Sequence, residues 1–141
     1  MKTAYVVDAS VAVKWFVPEV HSGHALRLLR KKFHLHAPEL IQAEFGNILV
    51  KKCRAGELDG TTAGEILDNF KKSPLVVQPH GAFIKLAWGI ALKYRQTFYD
   101  SLYLALAMTE KARMVTADRK FFDALAGTST QRHLLWIEEM T

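Results

Sequence analysis

The chain has a single cysteine, Cys53, in 141 residues, so an intrachain disulfide and a multi-cysteine zinc site are both excluded. A lone thiol fits a reducing cytoplasm. No uninterrupted apolar run approaches the roughly 18–20 residues that span a bilayer. The N-terminus begins Met1-Lys2 and continues apolar, like a secretory signal, but Asp8 and Lys14 interrupt it and no convincing cleavage site follows. These absences predict a soluble, cytoplasmic protein without a membrane partner. Repeats, low-complexity tracts and linkers are also missing, so residues 1–141 read as one domain, long enough to bury a core without staples.

What is present is ordinary globular composition, 50% hydrophobic and 23% charged, with a formal charge of +5. That excess, with a pI near 9.4, favours a polyanionic partner. The cations are uneven: Arg27, Arg30, Lys31 and Lys32 cluster, as do Lys51, Lys52 and Arg54. Solvated helix ends account for both clusters, since cations there complement the helix dipole.

Short apolar segments alternate with longer helical patterns. Strands are expected at 3–7, 35–37, 75–77, 114–116 and 134–136. Between them, helices are expected from about Ser10, over 22–32, from Pro38 to Arg54, from a cap at Thr61 or Thr62 to Lys72, and over 80–94, 100–111 and 118–125. This order predicts a three-layer α/β/α fold around a mainly parallel five-stranded sheet. In such sheets functional groups gather beyond the carboxyl ends of the strands, where strand order reverses.

Four carboxylates stand in apolar settings, and a buried carboxylate is costly unless hydrogen-bonded, paired or metal-bound. Asp8 follows the first strand and could equally cap a helix; Ser10 could take over that cap or orient Asp8. Glu44 lies four residues from both Leu40 and Ile48, along the inward stripe of its helix, with Asn47 near enough to orient it. Asp100 opens an almost wholly apolar helix, where an N-cap is the plain alternative. Asp118 follows Thr116-Ala117 and could cap a third helix; Asp123 is an outer candidate. Four anions do not converge unaided, because mutual repulsion raises their pKa values. An all-oxygen set at Asp8, Glu44, Asp100 and Asp118 matches Mg²⁺ or Mn²⁺.

Four segments together resemble the motifs of PIN-domain ribonucleases: Val6-Val7-Asp8-Ala9-Ser10, Pro38-Glu39-Leu40 with Glu44 and Asn47, Tyr99-Asp100-Ser101-Leu102-Tyr103, and Val115-Thr116-Ala117-Asp118. The short chain is similar, more narrowly, to VapC toxins of toxin–antitoxin pairs. The resemblance implies a metal-dependent endoribonuclease with Asp8, Glu44, Asp100 and Asp118 as its acidic site. Ser10, Asn47 and Thr116 would assist. It also implies an RNA substrate, a VapB-type antitoxin and a homodimer. Two other classes compete: a PIN-like module that only binds RNA or protein, and a phosphatase using Asp8 as nucleophile. The latter usually carries a second aspartate two residues on, where this chain has Ser10. The pairs His21/His24 and His34/His36 have metal-like spacing but no evident third ligand. Trp15, Phe16, Trp88 and Trp136 read as core or interface residues.

Overall fold

The computed structural model describes residues 2–141, leaving Met1 outside. Five strands, β1 (Thr3–Val7), β2 (Phe33–Pro38), β3 (Leu75–Gln78), β4 (Arg113–Thr116) and β5 (Leu134–Trp136), form one wholly parallel sheet in the order β3-β2-β1-β4-β5. Tyr5, Val6 and Val7 are all buried, as expected of a central strand covered on both faces. The helices are α1 (Ala9–Ala12), α2 (Ser22–Leu26), α3 (Leu40–Arg54), α4 (Gly60–Phe70), α5 (Ile84–Tyr94), α6 (Phe98–Thr109) and α7 (Arg119–Ala124). From β1 the chain winds outward through β2 to β3, then crosses back over β1 to β4 and β5. Right-handed crossovers in these two directions place helices on opposite faces. The strand order therefore reverses between β1 and β4.

Local chemistry explains most boundaries, including several that differ from the sequence expectation. Pro38 does not open α3: it ends β2, opposite Gln78. A proline at a strand's end forfeits little of the ladder. Asp59, not Thr61 or Thr62, caps α4 by accepting from Thr62 N–H at 2.7 Å. Thr97 caps α6, which starts two residues before Asp100. The helix expected over 22–32 stops earlier: a 3₁₀ turn at Arg27–Leu29 follows α2, and Arg30 is already extended. Gly56 (φ +75°) follows α3, a conformation that costs a residue without a Cβ little. On α3 the buried row is Ile41, Phe45 and Leu49. Phe45 stacks on Phe70 of α4 at 3.9 Å between ring centroids. Among the described residues no helix is long and apolar enough to cross a membrane.

Candidate active site

The carboxyl ends of β1 and β4, at the reversal of strand order, open into a cavity of about 270 Å³. Asp8, Glu44, Asp100 and Asp118 all line it, as do Ser10, Asn47 and Thr116. They come from four separate parts of the chain: the β1–α1 junction, α3, the first turn of α6 and the β4–α7 junction. Glu44 sits at the edge of the buried row of α3, half-buried and facing the cavity rather than the core.

Capping engages only one carboxylate oxygen of Asp8 and of Asp118. Asp8 caps α1: its Oδ1 accepts from Val11 N–H at 2.9 Å and from the Ser10 hydroxyl at 2.7 Å. Ser10 thus orients Asp8 instead of replacing it. Asp118 caps α7 through Oδ1, which accepts from Phe121 N–H at 3.1 Å. Its own N–H donates to the buried Thr116 hydroxyl at 3.1 Å, which ties the turn to the end of β4. In both aspartates Oδ2 accepts nothing from the described residues and remains available to a ligand. Asp100 is not a cap. Thr97 caps α6, accepting from Asp100 N–H at 3.0 Å.

Three of the four acids have a raised proton affinity, chiefly through burial. Burial pushes the Asp8 pKa up to about 6, against the hydrogen bonds from Ser10 and Val11 and with help from the charges of Asp100 and Glu44. Burial also raises Glu44, opposed by a hydrogen bond from Tyr103 and aided by Asp100. Asp100 is raised by burial, opposed by Thr97 and aided by Asp118. A cavity in which one acid feels the next is a field that a cation would relieve.

Two lining residues escaped the sequence reading. Tyr103 is buried, and its hydroxyl donates to Glu44 Oε1 at 2.5 Å. Tyr103 therefore holds Glu44, the task expected of Asn47, and leaves Oε2 without a partner among the described residues. Its signal was spacing: Tyr103 is one helical turn after Asp100, on the same face. Lys51 lines the rim, seven residues and two turns beyond Glu44. Its neighbour Lys52 turns away to Glu19 at 2.9 Å and Glu57 at 3.3 Å, so the basic cluster at 51–54 is split between two surfaces.

Asp123 does not reach the cavity; it pairs with Arg119 at 3.2 Å on the surface. His24 meets the Met140 carbonyl and Arg27, while His36 meets Gln78. Trp136 is nearly buried, whereas Trp88 is 60% exposed. Among the described residues, no three histidine, cysteine or acidic groups stand close enough, as placed, to hold one ion together. The chemistry of the donors nevertheless fits a hard divalent cation, being carboxylate oxygen throughout. Ligation would use pairs from this set or require rotation of the exposed carboxylate arms.

Comparison with known proteins agrees with this fold. A family model for the PIN domain matches residues 5–127. Ribonuclease VapC3 of Pyrobaculum aerophilum is 34% identical over 82% of this chain and 89% of its own length. Ribonuclease VapC1 of Mycobacterium tuberculosis is 32% identical over 82% and 86%. Among solved structures, PAE2754 of Pyrobaculum aerophilum superposes with a TM-score of 0.71 at 26% identity, covering 98% of this chain and 93% of that one. A toxin–antitoxin complex from Klebsiella pneumoniae, at 12% identity and a TM-score of 0.65 over 94% and 97%, shares the fold.

Proposed function

The chain belongs to the PIN-domain family, and on that premise we propose that it is a divalent-metal-dependent endoribonuclease of the VapC type, the toxin of a toxin–antitoxin pair. One observation carries this reading: four carboxylates from four separate chain segments line a single cavity, and among the described residues none of them is paired with a cationic side chain. Gathering uncompensated carboxylates in one cavity costs stability that the fold alone does not require.

Asp8 and Asp118 through Oδ2, and Glu44 through Oε2, are the atoms offered to Mg²⁺ or Mn²⁺, with Asp100 completing the set. Bound there, such an ion supplies charge neutralisation and Lewis-acid polarisation at a phosphate oxygen. Ser10 and Tyr103 hold two of the ligating carboxylates in place, which limits the reorganisation needed on binding. Lys51 at the rim attracts an RNA phosphate. Asp100 caps nothing, so its carboxylate is the one best placed to take a proton from attacking water if the other three hold the ion. Attack at phosphorus and rupture of the P–O3′ bond would leave a 5′-phosphate and a 3′-hydroxyl, as the family resemblance implies.

An antitoxin is the partner that fits this family, and an upstream reading frame for a small protein would support it. A second copy is the other proposed partner. The apolar patch it needs is present on α5, where Ile84, Trp88 and Leu92 recur every four residues at 43%, 60% and 63% exposure.

The test is cleavage of a labelled structured RNA with Mg²⁺, with Mn²⁺ and with EDTA. Cleavage should vanish in EDTA and in a folded Asp8→Asn variant; undiminished cleavage in that variant overturns the proposal. Release of inorganic phosphate from a phosphomonoester through an acyl-phosphate on Asp8 would instead indicate a phosphatase. The Ser10 hydroxyl, bonded to Asp8 where that scheme usually has a second acid, argues against it.

A further inference from the structure

The sheet has an open edge at β3, a four-residue strand between Pro74 and Pro79. β3 pairs only with β2. Beyond that ladder, its one backbone hydrogen bond among the described residues is from Glu39 N–H to the Gln78 carbonyl, at 2.9 Å. Proteins usually blunt such edges with charge, proline or a bulge. The four residues of β3 carry no charge and no proline, the flanking Pro74 and Pro79 lying just outside the strand, and Val76 is 49% exposed.

Alternate side chains of β3 enter two cavities on opposite faces of the sheet. Leu75 and Val77 line one of about 400 Å³, together with Leu67, Phe70 and Lys71. Val76 lines the other, of about 360 Å³, together with Leu28, Phe33, Lys2, Arg30 and Lys31. A strand laid beside β3 would send successive side chains into these two spaces, because strand side chains alternate between faces. Four cations and no acidic residue line the pair of cavities.

We propose that the β3 edge receives an extended peptide segment of a partner protein, apolar at alternate positions and acidic between or beside them. Main-chain hydrogen bonds would supply affinity, and the two cavities with their cationic rims would supply selection. Charge favours an acidic segment over a second copy of this chain, which would bring a second set of the same cations to the edge. The site lies two strands from β1 and does not depend on the nuclease reading.

The experiment uses the full chain and two libraries of eight-residue peptides. Both alternate Val, Ile, Leu or Phe with a charged residue, which is Asp or Glu in one library and Lys or Arg in the other. The acidic library should be enriched at least tenfold over the basic one. Its selected members should slow hydrogen exchange at the outward-pointing amides of Leu75 and Val77. Val76→Glu and Lys71→Glu, both at solvent-accessible positions and checked for unchanged melting, should each weaken binding of a selected peptide. Absence of enrichment, protection confined to other elements, or binding indifferent to both variants overturns the proposal. So does concentration-dependent protection of β3 without peptide, which would identify a second copy.

Discussion

Glu19 and Glu44 are the same residue type, both partly buried, in opposite surroundings. Glu19 lies between Lys14 at 3.2 Å and Lys52 at 2.9 Å. Burial works to raise its pKa, but the hydrogen bonds and charges of the two lysines outweigh it and hold it below the ordinary value. Glu44 faces Asp100 across a cavity, has only the neutral Tyr103 hydroxyl as partner among the described residues, and is raised. Glu19 is compensated and joins the loop after α1 to the end of α3. Glu44 is uncompensated, a state that lowers stability and is tolerated where the charge has a task.

The largest effect should come from exchanging the roles. Glu44→Gln should lower RNA cleavage by at least about a hundredfold with little loss of stability. Glu19→Gln should cost about 1–2 kcal/mol while leaving cleavage per folded molecule intact. Cleavage rates beside thermal melts test both; equal cleavage losses would erase the distinction.

Next in size is Tyr103→Phe, which removes only the hydroxyl that holds Glu44. Mn²⁺ affinity, measured by calorimetry on folded protein, should fall about tenfold. Unchanged affinity would mean that the contact serves packing alone.

A smaller effect concerns stability in EDTA. The folded pKa of Asp8, about 6, exceeds its ordinary value of 3.8. Its proton therefore favours the folded state below pH 3.8, and that contribution is lost as pH rises through 6. Asp8→Asn keeps an acceptor for the α1 cap and should stabilise the protein by about 1–2 kcal/mol at pH 8, with the gain vanishing near pH 4. Thermal melts across pH decide it; a destabilised variant at pH 8 would show that the charge is already compensated.

The smallest separates adjacent lysines. Lys51→Ala should weaken RNA binding a few-fold and reduce the slope of log affinity against log salt by about 1. Lys52→Ala should leave that slope alone and lower the melting temperature.

Much of this architecture was legible along the chain. The bounds of β1 were read correctly, because buried parallel strands are short, apolar and bounded by turn residues. Helix starts were read less well. Asp59, Thr61 and Thr62 are all competent caps in sequence, and only the extended backbone at Asp59 selects among them. Pro38 suits a first helical turn and a strand end equally, and pairing with β3 decides for the strand. The acids were found because each interrupts apolar sequence. Tyr103 and Lys51 were missed because a tyrosine in an apolar helix and a lysine at a helix end look ordinary until their neighbours are known.

By itself the sequence determined the fold class, the placement of Asp8 and Asp118 just beyond strand ends, and the exceptional position of Glu44. Those follow from periodicity and from the cost of burying charge, both local properties. Tertiary structure decided which atoms remain free. It gave Oδ1 of Asp8 and Asp118 to helix caps, placed Tyr103 on Glu44, and divided Lys51 from Lys52. Such choices depend on segments tens of residues apart meeting at the reversal of strand order, and no local pattern encodes that meeting.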